Sequence, residues 1–174
     1  MNALDVLKYG HQTVLEAIDG IPEADWYIEG VCGIWSIKDT IVHLASFEYL
    51  LIDVLQSFLS DGPTPILDRF IADAQQFNDD EVGWRRDKTV QEIWDEYKAA
   101  YELTLALMAQ IPINTRRTNG TLPWYGAKYS LEDFIVYTFY GHKREHSAHI
   151  NVFHDQLAAI TIQASLELRP EVVS

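Results

Sequence analysis

The chain has 174 residues, of which 48% are hydrophobic, so we expect one domain, residues 1–174, with a sizeable core. Asp and Glu outnumber Lys and Arg by 26 to 13, a balance that argues against nucleic acid and anionic membrane as partners. The single cysteine, Cys32, excludes an intramolecular disulfide and a cysteine-based zinc cluster. We see neither a membrane-length apolar run nor a signal peptide, which indicates a soluble cytoplasmic protein.

The first predicted helix spans residues 3–19. Asn2 is a suitable N-cap, and Gly20 followed by Pro22 ends the helix. Its apolar seam recurs at spacings of three and four residues and includes one histidine: Leu4, Leu7, His11, Val14 and Ile18. An irregular passage then extends to Trp35.

The second predicted helix spans residues 36–59. Ser36 and Asp39 form a capping box at its start. Two apolar stripes give it a wide apolar face, as expected of a helix inside a bundle, and His43 lies on that face. A long connection, residues 61–88, follows, in which we predict a short helix over residues 67–77 and an exposed charged segment over residues 79–87.

The third predicted helix spans residues 89–110, and a polar loop over residues 114–129 separates it from the fourth. The fourth helix opens at Ser130. Three histidines occupy seam positions that a bundle would normally fill with Leu or Ile, and the full seam is Ile135, Phe139, His142, His146, His149, Phe153 and Leu157. The weakly alternating tail, residues 158–174, is either extended or part of an oligomer interface. Four helices with a long connection between the second and third predict an all-α four-helix bundle with a crossover.

The histidine seam points to metal chemistry. A buried imidazole nitrogen without a partner costs about 1–3 kcal/mol, and one divalent ion could satisfy several such nitrogens. His142 and His146 are spaced to bind one ion from one helix face, and His43 is the leading third ligand. His149 could replace either member of the pair, and His11 is a further candidate. Hydrogen-bonded core histidines or a surface histidine cluster remain alternatives to a metal site.

Two segments carry a resemblance to a known family. Residues 35–44, with Glu48 following, read WSIKDTIVHL, and residues 142–150 read HKREHSAHI. They resemble the second-helix motif and the last-helix HxxxH motif of the DinB/YfiT-like superfamily, and the resemblance covers most of the chain. Phe77-Asn78 and the Arg-Glu-His run resemble a branch that includes the ClbS/DfsB-like four-helix bundle proteins.

The resemblance implies a bundle with up-down-down-up connectivity and a divalent metal held by His43, His142 and His146. His149 stands where relatives often have Gln, so it is either a substitute ligand or an outer donor. Imidazole ligands suit Zn, Ni, Cu or Fe. Relatives are often dimers, and the apolar tail is compatible with a homodimer.

The reaction is left open by this resemblance. Relatives include metal-dependent transferases and isomerases that use low-molecular-weight thiols, and proteins linked to self-protection against reactive metabolites. One hypothesis is therefore a metal-dependent transferase or hydrolase that acts on small electrophiles with thiol or water. The alternative is a non-catalytic protein that binds or sequesters a small molecule, and in a third hypothesis the metal only stabilises the bundle.

Three carboxylates near the motifs have two interpretations each. Asp39 is either an acceptor for an imidazole or simply a helix cap. Glu48 and Glu145 are either proton carriers or solvated charges on a helix face, and we favour the second interpretation.

Overall fold

The computed structural model describes residues 2–167 and is mostly helical. In chain order its helices are α1 Ala3–Ile18, α2 Ile37–Gln56, α3 Pro65–Ala72, α4 Ala74–Trp84, α5 Val90–Gln110, α6 Ile113–Arg116, α7 Leu131–Phe134 and α8 Gly141–Glu167. A 3-10 helix, Glu23–Tyr27, and an antiparallel hairpin of β1 Glu29–Cys32 and β2 Trp35–Ser36 precede α2. Between residues 2 and 167, no helix combines the length and apolarity needed to cross a bilayer.

The predicted caps define the starts of the long helices. Asn2 accepts a hydrogen bond from the Leu4 N–H at the start of α1. Ser36 and Asp39 form a reciprocal capping box on α2, and α5 begins with a second box. The carboxylate of Asp39 accepts from the N–H and the hydroxyl of Ser36. Asp39 is therefore a helix cap. Among the described residues no imidazole contacts its carboxylate, so its interpretation as an acceptor for an imidazole is unsupported.

The core consists of two apolar clusters. One cluster includes Phe47 of α2 and Phe139 just before α8, and the other includes Leu44 of α2 and Ile150 of α8. α2 packs mainly against α5, whereas α8 packs mainly against α1. Where α2 and α8 pass from one cluster to the other, they carry a set of buried or half-buried polar residues, here called the polar layer: His43, Glu48, His142, Lys143 and His146.

The long connection is more ordered than we predicted. It contains two helices, α3 and α4, in place of one short helix. α4 continues to Trp84, and the prediction of an exposed segment over residues 79–87 is wrong at four positions that are buried or half-buried, namely Asp80, Glu81, Val82 and Arg85. Glu81 is only 3% exposed and pairs with Arg69 and with Arg85, the latter at 2.5 Å. These ion pairs compensate for the burial of the carboxylate.

Two further features were absent from the sequence prediction. The hairpin has strands too short to show a two-residue period, and its two-residue loop begins with Gly33 at a φ of 62°, where glycine is favoured. α8 continues through Glu167, so the extended alternative is wrong for residues 158–167, and residues 168–174 lie outside the described part of the chain.

Asp53 generates a stability prediction. Its buried carboxylate accepts from the Ile66 N–H at 2.7 Å and the Leu67 N–H at 3.1 Å, and so caps α3 from α2. We expect Asp53→Ala to lower the free energy of unfolding by about 2 kcal/mol, because one half-buried and one buried N–H group lose a charged acceptor. Urea denaturation at pH 7 measures this change. Asp61→Ala, at an exposed position, is the control and should have almost no effect; equal effects of both variants would contradict the prediction.

Candidate metal centre

Three histidines from two helices meet in the interior. His43 comes from α2, and His142 and His146 come from one face of α8. The Nε2 atom of His142 lies 2.7 Å from that of His43 and 3.0 Å from that of His146. All three nitrogens lie within 4.8 Å of one another. These residues are the three that the motifs single out, and we call them the three-histidine cluster.

A π-helical segment sets the orientation of the last helix at this point. Ile135–Tyr140 is π-helical, and it joins α7 directly to α8 just before His142. A π turn holds more residues than an α turn, so it rotates the following residues relative to a continuous α-helix. The regular spacing of the seam predicted an unbroken helix. Segments of this kind occur frequently at functional sites.

Burial keeps the imidazoles neutral. His43 is 4% exposed and His146 is 7% exposed, whereas His142 is half-buried. Desolvation, followed by the charge of His146, lowers the pKa of His43 from 6.5 to about 3. Desolvation and the neighbouring histidines lower the pKa of His142 to about 2, and desolvation followed by His149 lowers the pKa of His146 to about 4. The three lone pairs are therefore available at neutral pH without loss of a proton.

The donor set fits a divalent metal ion. The Nε2 atom of a neutral imidazole offers either one N–H or one lone pair. Since His142 Nε2 approaches both other Nε2 atoms, only one of its two contacts can be a full hydrogen bond. One ion bound at about 2.0–2.1 Å from each nitrogen would satisfy all three lone pairs at once.

The outer nitrogens of the cluster do not follow the usual pattern of metal sites. Ligating histidines commonly donate their second N–H to a carbonyl or a carboxylate. Here the Nδ1 atoms of His43 and His146 are buried and have no hydrogen-bond partner among the described residues. Packing, and not a hydrogen bond at Nδ1, orients the outer edges of these rings.

Aromatic side chains supply that packing. The ring of Trp35 lies 4.9 Å from the ring of His43, and Phe47 lies 4.7 Å from His43 and 4.3 Å from His142. The hairpin places Trp35 immediately before α2, and Phe47 follows His43 by one helical turn. Phe47 therefore reaches the site through the regular turn of α2, whereas only the hairpin brings Trp35 to the site. Together the two rings cover the cluster with apolar surface.

The two additional candidate ligands do not join the cluster. His11 pairs through Nδ1 with the Tyr97 hydroxyl at 3.2 Å and stacks on Tyr101 at 3.8 Å. The ring of His149 lies 5.7 Å from that of His146, and its nitrogens fall outside the three-histidine group. The nitrogens of His11 and His149 therefore lie outside the group of three that could hold one metal ion.

The two glutamates behave differently from each other. Glu145 is exposed, as favoured by the helix pattern. Glu48 is 0% exposed, so its interpretation as a solvated charge is wrong. The helix pattern failed here because it assigns a charged residue to the surface, whereas Glu48 is buried with a partner, Lys143.

A pocket adjoins the cluster at Trp35. It has a volume of about 720 Å³ and lies between the hairpin, the start of α2 and α4. Its lining combines apolar and charged side chains, among them Tyr27, Glu29, Trp35, Lys38 and Arg86. Pockets of this size accept small molecules. Trp35 contributes both to this pocket and to the covering of His43.

Comparison with known proteins identifies one similarity. The family model described as the DinB superfamily matches residues 7–158, a range that contains all three clustered histidines. No curated protein and no solved structure matches the chain.

The lowered pKa values generate a prediction for the metal-free protein. Between pH 6.5 and about 4, the unfolded chain binds protons on histidines that stay neutral in the folded state, so stability falls as the pH falls through this window. The unfolded His43→Asn variant has one histidine fewer, so it binds one proton fewer in this pH window than the unfolded wild type. We expect the loss of unfolding free energy between pH 7 and 5.5 to be smaller, by up to about 1.4 kcal/mol per pH unit. Urea denaturation in the presence of a chelator measures how the unfolding free energy of the wild type and of the variant depends on pH. An identical pH dependence of the two proteins would refute the lowered pKa of His43.

Proposed function

The chain belongs to the DinB superfamily, and on that premise we propose that it binds a divalent metal ion through His43, His142 and His146. Members of this superfamily are often metal-binding. The observation that carries the proposal is the convergence of three neutral imidazoles whose Nε2 atoms cannot all be paired by hydrogen bonds to one another.

We also propose the family's four-helix bundle with up-down-down-up connectivity. The packing of α2 on α5 and of α1 on α8, with further contact between α1 and α5, supports this topology. The long connection between α2 and α5, which contains α3 and α4, then serves as the crossover.

Our preferred function is a metal-dependent transferase or hydrolase that acts on small electrophiles. Three protein ligands leave room for one more, and a bound divalent ion supplies Lewis acidity that lowers the pKa of a thiol or of water. Trp35 packs on His43 and Phe47 packs on His142, and the adjoining pocket has room for a small electrophile. Glu48 is not available as a proton carrier, because it is buried and paired with Lys143.

The second candidate is a protein that binds or sequesters a small molecule without transforming it. The observation that favours it is the separation of the pocket from the histidines by the indole of Trp35. In that case the pocket would capture the ligand, and the metal would stabilise the protein.

Metal content tests the first part of the proposal. We expect protein purified without a histidine tag, and reconstituted with Zn, Ni or Fe, to hold about one ion per chain, since three converging donors form one site. His43→Ala, His142→Ala and His146→Ala should each lose most of this metal because a ligand is missing. His154→Ala, which changes a half-buried histidine outside the cluster, is the matched control. Elemental analysis measures all five proteins, and metal retention by the three cluster variants would overturn the ligand assignment.

Turnover separates the enzyme from the binding protein. If the site is catalytic, metal-loaded protein should conjugate a low-molecular-weight thiol to, or hydrolyse, at least one member of a panel of alkyl halides, epoxides and esters. His142→Ala should lower that rate by about 100-fold or more, because the metal contributes directly to the reaction. Product formation is measured by mass spectrometry.

The outcome expected of a binding protein is different. Wild-type protein would produce no product from any member of the panel. A ligand that raises the melting temperature of the wild type would raise that of metal-free His142→Ala by a similar amount, because the pocket does not include His142.

A further inference from the structure

The polar layer contains a charge pair whose burial is almost complete. Lys143 Nζ of α8 contacts Glu48 Oε1 of α2, and the two side chains are 3% and 0% exposed. No hydrogen bond from another described residue reaches either oxygen of Glu48 or the amine of Lys143. Among the described residues, Lys143 is therefore the one ionic or hydrogen-bonding partner of Glu48, and Glu48 is that of Lys143. A pair of this kind constrains where its two helices can lie, because separating it would leave two uncompensated charges in the interior.

The pair connects the two helices that carry the clustered histidines. Lys143 directly follows His142, and Glu48 lies little more than one helical turn after His43. α2 packs mainly on α5 and α8 mainly on α1, so their positions relative to each other are set largely through other helices. Within residues 2–167, Lys143–Glu48 is the only ion pair between α2 and α8. It is thus a direct contact between the helix that carries His43 and the helix that carries His142 and His146.

Residues of α1 and α5 restrict the conformation of the Lys143 side chain. Its amine lies 5.1 Å from the ring centre of Tyr101 and 5.6 Å from that of Tyr97, both on α5. On the side of α1, a Cβ at Gly10 would come within 3.2 Å of Lys143 Cδ, so the glycine leaves room for the aliphatic stem. The aliphatic stem of Lys143 packs on α1, and its amine packs on the tyrosine rings of α5. These contacts restrict the conformation of the side chain, and so they restrict the distance between α8 and α2.

Stability alone gives little reason for this pair. Desolvation of two charges largely offsets their attraction, and apolar side chains of similar volume often replace a buried ion pair with no loss of stability. What apolar side chains lack is a fixed direction and separation.

We propose that Glu48 and Lys143 are positioning residues that set the spacing and rotation of α2 against α8, and thereby bring the three histidines to the separation at which one metal ion can bind. The inference rests on the proposed function, because it concerns the metal affinity of that site. Neither residue touches the converging nitrogens, so both act through the helices that carry the ligands.

The test separates metal binding from stability. In the double variant Glu48→Leu, Lys143→Met, apolar side chains replace both charges, so we expect the melting temperature to stay constant or to rise. We expect the Kd for Co²⁺ to rise by about 10- to 100-fold, the range seen when groups that orient metal ligands are lost. The visible absorption of bound Co²⁺ should change as well, since it reports ligand geometry. Asp53→Ala is the matched control, because it removes the cap of α3, away from the histidines, and should lower stability without changing Co²⁺ affinity.

The outcomes are distinguishable. If wild-type protein does not bind Co²⁺, both the proposed function and this inference are wrong. If the wild type binds Co²⁺ and the double variant has the same Kd and the same spectrum, only the positioning role is refuted. Should the double variant not fold, Glu48→Asp retains both charges but shortens one side chain, and an unchanged Kd in that variant would equally overturn the inference.

Discussion

Desolvation of polar groups is the constraint on which this structure depends. α2 and α8 carry imidazoles, a carboxylate and an amine between two apolar clusters, where burial removes most or all of their contact with water. Lys143 forms an ion pair with Glu48, and His11 pairs with the hydroxyl of Tyr97. The three Nε2 atoms of the cluster are left without a consistent set of hydrogen bonds, and this is why the site is suited to a metal ion.

The same constraint explains why the site is prepared for binding before any ion arrives. Removal of water lowers the pKa values of His43, His142 and His146 far below neutrality, so their lone pairs are free at physiological pH. Trp35 and Phe47 maintain the dry environment and orient the rings by contact. A surface cluster of histidines would have neither property, because water would solvate the protonated imidazoles.

Local sequence signals were sufficient for most of the helical framework. Capping boxes at Ser36 and Thr89 mark the starts of α2 and α5, and each depends only on residues three apart. The pairing of His142 with His146 likewise follows from one helical turn. The third histidine, His43, was chosen from its place on an apolar face and from a motif, and the structure brings it to the same point. For the caps and for the His142–His146 pair the physical cause lies within a few residues of chain, whereas the meeting of His43 with that pair depends on packing.

Other features depend on contacts between distant segments, and only the tertiary structure decided them. The helix pattern assigned Glu48 to solvent, because periodicity separates apolar from polar residues and cannot show that a charge has a buried partner 95 residues away, Lys143. The π-helical segment before His142 and the hairpin that carries Trp35 have no local pattern strong enough to predict them. The sequence by itself determined which faces of the helices are buried and which histidines share a face. Packing determined which of those buried polar groups meet, because pairing energies in the interior depend on distances that no local pattern contains.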